Sequence, residues 1–218
     1  AYTGATTFLT NTDEVENAPT SWADIKDGDY TVALGDINGG NAQAAVIASA
    51  YAFGGDLNNL DPAFDFWTQM AEDGRINTLD ILQQNFETGE IPVGVIWSFT
   101  AIPYKDQITK YKLQANIPTD GSIMSGYASV INKYAPHPCA AALAREYIFS
   151  DEGQANLAAA GAIPTRTDVE IPDDIQNATF KSEDYANAIP MEDTDAYTKA
   201  CETVVERWQE EITPLLVQ

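Results

Sequence analysis

The chain has 218 residues, enough for one large domain or two small ones, and its hydrophobic fraction of 44% can supply a real core. Acidic residues outnumber basic ones by 33 to 11, which gives a formal net charge of -22. This balance argues against a nucleic-acid partner, because phosphate binding requires clustered lysine and arginine, and it indicates either a solvated acidic surface or attraction of a cationic ligand.

Short apolar runs alternate with helical patterns through the first half of the chain. Strands are predicted at residues 6–10, 30–34, 93–97 and 111–117, where apolar and β-branched residues cluster. Helices are predicted at 19–25, with Thr20 or Ser21 as N-cap, and at 42–53, 62–72 and 79–86. This alternation predicts an α/β fold with a largely parallel sheet.

The second half begins with a predicted apolar strand at 127–131, which runs into the turn Ala-Pro-His-Pro at 135–138. An alanine-rich helix that ends near Phe149 follows, then Ser-Asp-Glu-Gly-Gln, a second short helix and Gly161. Residues 167–195 are acidic and poorly periodic, which predicts a long surface connection. The tail at 193–211 predicts one helix that Pro214 ends. Three tryptophans on apolar helix faces are expected in the core: Trp22, Trp67 and Trp208.

Cysteine and histidine usage indicates neither a metal site nor a cofactor. Cys139 and Cys201 lie far apart without a C-x-x-C pattern, and they form either a disulfide between two helices or two buried thiols. His137, the one histidine, lies between two prolines and is expected to serve the turn. The motifs G-x-S-x-G and H-E-x-x-H and a paired Cys and His are absent, and no spacing selects two carboxylates as an acid–base pair. No catalytic residue is therefore predicted.

The loop Gly-Asp-Ile-Asn-Gly-Gly-Asn at 35–41 lies between a predicted strand and a predicted helix. Ligands of open α/β sheets bind at such strand ends, and exposed N–H groups at a helix start favour an anion or a carbonyl oxygen. Asn38, Gly39, Gly40 and Asn41 are therefore candidate ligand contacts, because the glycines permit close approach to the backbone. The alternative is a plain strand-to-helix turn with Asn38 or Asn41 as cap.

Trp97 and Ser98 follow a buried-type strand and are further candidates. A tryptophan at a strand end can stack on a flat ligand or hold a cation over its face. Core packing is the alternative for Trp97.

Several segments together resemble the extracellular solute-binding proteins of ABC importers, in particular those that take iron, polyamines, thiamine or phosphonates. They are Ala-Pro-Thr-Ser-Trp-Ala-Asp-Ile at 18–25, the strand entered at 87–97, Ser-Asp-Glu-Gly-Gln at 150–154 and Gly-x-x-Pro-x-Arg at 161–166. The resemblance implies an α/β fold of the type II periplasmic-binding-protein kind. Such a fold has two lobes joined by crossing strands, with the ligand between lobes that close by a hinge.

Mapped onto this chain, the resemblance implies a first crossing strand at 1–12 and an α/β lobe 2 at 13–114. Residues 115–218 would hold the second crossing strand and the returning, mostly helical part of lobe 1. The family's lobe 1 begins with βαβ units upstream of the first crossing strand. We therefore expect Ala1 to be an internal position of a longer protein, or else the start of a mature one. A C-terminal portion of this kind would expose strand edges and apolar surface.

The return into lobe 1 at 121–127 contributes Ser122, Ser125 and Tyr127 as candidate ligand contacts. Polyamine-binding relatives carry a Trp and an Asp where this chain has Ser125 and Tyr127, and the adjacent tyrosines of iron-binding relatives are absent. The hydroxyls suit an anion or a polar organic ligand. Arg166 either pairs with such an anion or forms a surface salt bridge.

The resemblance also implies the partners and location of the protein. The partners are a small solute (a polyamine, thiamine, a phosphonate or similar) and an ABC permease in the membrane. The location is extracellular or periplasmic, and the full-length protein could carry a lipid anchor. The alternatives are a secreted hydrolase and a surface interaction module without a transport role.

Overall fold

The computed structural model describes residues 1–216, with Asn177 described in its backbone alone. Its strands are β1 (Tyr2–Asn11), β2 (Val32–Ala33), β3 (Ile76–Asn77), β4 (Val93–Trp97), β5 (Leu113–Asn116), β6 (Ser122–Tyr127), β7 (Ile163–Pro164) and β8 (Ala188–Pro190). Its helices are α1 (Trp22–Asp27), α2 (Gly40–Ala52), α3 (Asp61–Glu72), α4 (Gln83–Thr88), α5 (Ser98–Gln107), α6 (Pro138–Ile148), α7 (Asp151–Ala159), α8 (Asp173–Ala178), α9 (Thr194–Arg207) and α10 (Thr213–Leu216).

The long strand β1 organises the sheet. Within the described residues the strand order is β3-β2-β4-β1-β6-β8, and β5 and β7 also pair with β1. All four pairings of β1 are antiparallel, whereas β2–β3, β2–β4 and β6–β8 are parallel. The prediction of a largely parallel sheet is therefore wrong. Periodicity locates strands, but it carries no information about the direction in which the chain returns to them.

The two halves of β1 pair with different groups of strands. Residues from Tyr2 to Ala5 pair with β6 and β7. Residues from Thr6 to Asn11 pair with β4 and β5. Strand β1 therefore passes from one group of strands to the other.

Aromatic side chains fill the larger core. Trp22 and Trp67 are fully buried, and Trp208 is nearly so, which confirms all three as core residues. The rings of Trp67 and Trp208 contact edge to face at 5.6 Å between centroids, so the C-terminal helical segment packs against α3. Arg207 strengthens this contact by pairing with Asp61 at 2.9 Å.

Several local predictions are confirmed. Strand β4 has the predicted bounds, and Ser21 caps α1 by accepting a hydrogen bond from the N–H of Asp24 at 3.0 Å. Helices α2, α3 and α6 lie within two residues of their predicted starts or ends.

Other local predictions are wrong. The strand expected at 127–131 lies earlier, as β6, because small residues of low strand propensity pair there with β1. The helix expected at 79–86 begins at Gln83. The acidic connection at 167–195 contains α8, a short 3₁₀ turn and β8. Pro214 does not end the C-terminal helical segment: a π-helical turn at Trp208–Ile212 continues α9, and α10 continues that turn through Pro214.

The cysteines form no disulfide in the part of the chain that the structure describes: Cys139 is an exposed free thiol and Cys201 a partly buried one. Across residues 1–216, no group of three or more metal-ligating side chains comes together. In the same residues, no helix has the length and apolarity needed to cross a membrane.

Candidate functional site

Two helices begin at the same edge of the sheet. Strands β2 and β4 are parallel neighbours, α2 begins shortly after β2, and α5 begins directly after β4. The side-chain amide of Asn41 ties the two strand ends together, since it donates to the carbonyl of Val95 at 2.8 Å and to that of Leu34 at 3.3 Å. The N–H groups at the starts of both helices therefore lie at one edge, where ligands of α/β sheets bind.

The loop before α2 has a fixed shape. Gly35 has a φ of 76°, a left-handed conformation that favours glycine. The carboxylate of Asp36 accepts hydrogen bonds from the backbone and the side-chain amide of Asn38, at 3.0 and 2.8 Å, and these bonds lower the pKa of Asp36. Within the described residues no side chain caps α2, whose N-cap is Gly39, so neither Asn38 nor Asn41 acts as the expected cap.

Four aromatic rings, here called the aromatic cluster, lie where β1, β6 and the start of α5 meet. Tyr2 and Tyr127 are stacked with centroids 5.1 Å apart, and Phe99 contacts them edge to face at 5.2 and 5.4 Å. Trp97 stacks on Phe99 at 6.0 Å. The cluster therefore joins two residues predicted as ligand contacts, Trp97 and Tyr127, through a third ring that was not predicted.

The accessibility of the cluster increases from Trp97 to Tyr127. Trp97 is 7% exposed and belongs to the larger core, whereas Tyr127 is 42% exposed. Partial burial, and then the neighbouring Tyr2, raise the pKa of Tyr127 above its ordinary value, so its hydroxyl stays protonated and can donate a hydrogen bond at neutral pH.

Two of the predicted serines hold β1 in place. Ser98 is fully buried, and its hydroxyl oxygen accepts a hydrogen bond from the N–H of Ala5 at 3.2 Å. Ser122 is also fully buried, and its hydroxyl donates to the carbonyl of Thr6 at 2.9 Å. Both contacts fall where β1 changes strand partners. Ser125, in contrast, is partly exposed and pairs with β1 through Gly4.

Sequence reasoning missed Tyr2 and Phe99. Phe99 lies over β1 at Gly4, where an added Cβ would lie 2.6 Å from Cε1 of the ring. The contacts of Phe99 with Tyr2 and Tyr127 join segments that are far apart in the chain, and no local pattern marks them. The one available signal was the Trp-Ser-Phe-Thr run directly after a buried strand.

Arg166 has structural partners. Its guanidinium pairs with Asp151 at 2.7 Å and with Asp168 at 2.6 Å, and it donates to the carbonyl of Phe149 at 3.0 Å. The hydrogen bond with Asp168, first among several causes, raises the pKa of Arg166 further above its ordinary value. The surface salt bridge is thus the alternative that the structure bears out.

Residues 1–189 match the sequence profile of a family described as bacterial extracellular solute-binding protein. The chain belongs to this family. As a member, the chain is an extracellular or periplasmic solute-binding component of an ABC importer. The members of the family are binding proteins. Among curated proteins, a search finds no match.

Solved solute-binding proteins share the fold. The periplasmic binding protein AfuA of Actinobacillus pleuropneumoniae, with fructose-6-phosphate bound, is 21% identical, with a TM-score of 0.69 over 97% of this chain and 67% of that one. The spermidine/putrescine substrate-binding protein PotD of Streptococcus pneumoniae is 15% identical, with a TM-score of 0.68 over 97% and 68%. A periplasmic thiamin-binding protein is 16% identical, with a TM-score of 0.69 over 100% and 65%. The chain spans about two thirds of the length of these proteins, and they confirm the type II fold.

Proposed function

We propose that this solute-binding protein captures a small organic solute with an anionic or neutral polar group. The binding site is the sheet edge formed by the starts of α2 and α5 together with the aromatic cluster. The observation that carries the proposal is the convergence of two helix starts beside partly exposed aromatic rings. Helix N–H groups hold the polar end of a solute, and the rings cover its apolar part.

The local groups favour an anion or a neutral polar group over a cation. The net charge of -22 attracts cations, but charges spread over a surface are screened beyond ~8–10 Å at physiological salt. The helix starts act directly at the site. The similar proteins include one with fructose-6-phosphate bound and one that binds thiamin, so the shared fold alone selects no ligand. We therefore favour phosphonates and sugar phosphates over polyamines, thiamine and ferric ion.

The predicted site residues divide into two roles in this proposal. Gly40 presents its backbone N–H group to the solute. Gly39, whose own N–H donates to the carbonyl of Asp36 at 2.8 Å, lets the solute approach the backbone closely, and Asn38 shapes the loop. Ser125, Tyr127 and the edge of Trp97 contact it from the other side. Asn41, Ser98 and Ser122 act through the strands that they hold, because each side chain already bonds a backbone group.

The mechanism follows from the crossing strand. Residues 1–12 join the region at 13–114 to the region at 115–218, and rotation about β1 would close the two regions over the solute. The closed protein is then recognised by the ABC permease. Closure of this kind needs no bond-breaking step, so we propose no catalytic activity. Turnover of a hydrolase substrate would revive the enzyme alternative.

A thermal-shift screen on the full-length protein tests the proposal. The panel contains sugar phosphates, phosphonates, thiamine, polyamines and ferric ion. A solute at 100 times its Kd stabilises the folded state by about 2.7 kcal/mol, which is easily seen as a higher melting temperature. We expect a phosphate or a phosphonate to raise the melting temperature. If the protein is instead a surface interaction module, no solute of the panel should change the melting temperature. The absence of a shift across the panel would count strongly against the proposal.

A pair of tyrosine variants tests whether the solute contacts the aromatic cluster. Tyr127→Phe removes a single hydroxyl from the aromatic cluster and is expected to weaken binding about tenfold, the loss of roughly one hydrogen bond. Tyr134→Phe is the matched control, because Tyr134 is exposed and lies outside the cluster. Equal affinities of the two variants would remove Tyr127 from the site without affecting the wider proposal.

A further inference from the structure

A groove runs between α2 and α9, which pack against each other. Its volume is about 500 Å³, which is within the range of sites for small molecules. The partly buried side chains of Cys201 and Val205 line the groove from α9, and Gln43 lines it from α2. The groove therefore has an apolar floor on which the carbon chain of a small organic molecule can lie.

The groove adjoins the proposed binding site at two points. Gln43 follows Gly40 by three residues on α2, which places it about 4.5 Å further along the helix axis. On the side of α9, burial, then the Cys201 thiol and then Tyr127 raise the pKa of Tyr197, so Tyr197 lies near both the groove and the aromatic cluster. A solute held at the start of α2 can therefore extend into the groove.

Helix α9 divides its charged side chains between two grooves. Lys199 and Arg207 line one groove together with Asp61. The groove beside α2 is lined instead by three glutamates, which are Glu202, Glu206 and Glu210. Among the residues that the structure describes, no lysine or arginine lines this second groove. Its rim is therefore negative, and it complements a cation rather than an anion.

The carboxylates of these glutamates are available to a ligand. Within residues 1–216, none of the three forms an ion pair, although Lys199 precedes Glu202 by three residues on the same helix. Glu211 differs from them, because the guanidinium of Arg207 donates to its two carboxylate oxygens at 2.6 and 3.1 Å. The nearest cation of α9 is thus engaged on the other side of the helix.

We propose that the solute is a zwitterion. Its anionic group binds at the start of α2, and a cationic group such as an ammonium lies in the groove against Glu202 and Glu206. The apolar floor of the groove holds the carbon chain between the two charges. The charge of the rim selects this occupant, because a purely anionic solute would bring its far end towards carboxylates. The inference rests on the proposed function and narrows its class of solute.

Two matched pairs of probes test the inference by calorimetry on the full-length protein. Glucosamine-6-phosphate is compared with glucose-6-phosphate, and 3-aminopropylphosphonate with propylphosphonate. The first member of each pair carries an ammonium group at neutral pH that the second lacks. We expect the ammonium to tighten binding about fivefold at low salt. The preference should shrink in 1 M salt, where the Debye length is only about 3 Å.

A double variant tests whether the groove causes this preference. Glu202→Gln together with Glu206→Gln removes two exposed carboxylates and should abolish the preference, while the Kd of the members without an ammonium stays unchanged or falls slightly. The matched control combines Asp65→Asn with Glu72→Gln, which changes the net charge equally at exposed positions of α3. The control should keep the full preference.

The outcomes distinguish this inference from the proposed function. Measurable but equal affinities within both pairs would overturn the inference and leave the proposed function standing. A preference that survives Glu202→Gln with Glu206→Gln would also overturn it, because the ammonium would then bind elsewhere, and so would a preference that is lost in the control as well. If neither member of either pair binds, the proposed function fails and the inference fails with it. A preference that is lost in the groove variant alone supports it.

Discussion

The side-chain oxygen of Gln154 accepts a hydrogen bond from the backbone N–H of Arg166 at 3.1 Å. The same oxygen accepts from the N–H of Thr165 at 3.0 Å, and the side-chain amide donates to the carbonyl of Ile148 at 2.9 Å. Gln154 is fully buried. The Ser-Asp-Glu-Gly-Gln and Pro-x-Arg segments, which carry part of the family resemblance, therefore meet in a structural network rather than at a ligand.

Gln154→Ala is expected to lower the free energy of unfolding by about 2–4 kcal/mol, because it leaves buried N–H and carbonyl groups without partners. Urea denaturation measures the loss. Gln83→Ala is the control, since Gln83 is partly exposed and its amide bonds the carboxylate of Glu87 at 2.8 Å on the surface, so its change should stay within about 0.5 kcal/mol. Similar losses for the two variants would show that the Gln154 network contributes little.

Local patterns in the sequence predicted the local structure well. Val93–Trp97 is a run of apolar residues, and a serine precedes Trp22, so the bounds of β4 and the cap of α1 followed directly. The position of β6 did not follow, because its residues form a strand through pairing with β1 and β8, both of which lie far away in the chain. Strand direction was missed for the same reason: it is set by contacts between residues far apart in the chain.

The candidate site shows the same limit. The glycines at 39 and 40 and the tryptophan at 97 were visible as a loop and a strand end. The aromatic cluster was not, because Tyr2, Phe99 and Tyr127 come together only when β1 crosses between two groups of strands. The sequence also does not show burial, so Ser98 and Ser122, which bond to β1, could not be distinguished from serines that bond to a ligand.

The ion pair between Arg166 and Asp168 predicts a pH dependence. The hydrogen bond from Arg166 holds the pKa of Asp168 below its ordinary value of 3.8. A carboxylate whose pKa is lowered by folding stabilises the protein above its unfolded-state pKa, and that contribution is lost as the pH falls through the folded-state pKa. The contribution of this pair is therefore present at pH 7 and absent at strongly acidic pH.

Asp168→Asn is accordingly expected to lower the melting temperature at pH 7 by no more than a few degrees, because the pair is exposed to solvent. Once the pH falls below the folded-state pKa of Asp168, the variant and the wild-type protein should melt together. Asp65→Asn, at an exposed position on α3, serves as the control at both values of pH. A difference at position 168 that persists unchanged in acid would contradict the assignment to this ion pair.

Gly4 allows Phe99 to lie against β1. An alanine there would place its Cβ 2.6 Å from Cε1 of Phe99 and 3.1 Å from the hydroxyl of Ser98, so the ring must move. We expect Gly4→Ala to cost about 1–3 kcal/mol of unfolding free energy, as overpacking does. The double variant with Phe99→Ala should lose less than the sum of the single losses, because the clash is absent.

Gly126→Ala is the matched control for this prediction, since Gly126 lies on the neighbouring strand and its added Cβ meets the Thr3 methyl at 3.3 Å. A small shift of one methyl group relieves that contact. Equal losses for Gly4→Ala and Gly126→Ala, or strict additivity with Phe99→Ala, would show that the ring does not depend on Gly4.

A substitution at Gly40 allows an effect on solute binding to be distinguished from an effect on stability. An added Cβ at this position meets nothing within 4 Å, and the residue is the first of α2, so Gly40→Ala should leave the stability of the protein unchanged or raise it by up to about 1 kcal/mol.

In our proposal the same Cβ stands between the solute and the N–H groups of α2. We expect the Kd of the solute found by the thermal-shift screen to rise tenfold or more, a loss of at least about 1.4 kcal/mol, when measured by calorimetry. Gln83→Ala changes the equivalent first position of α4 and should leave the Kd unaltered. An unchanged Kd in a well-folded Gly40→Ala protein would exclude the start of α2 from the binding site.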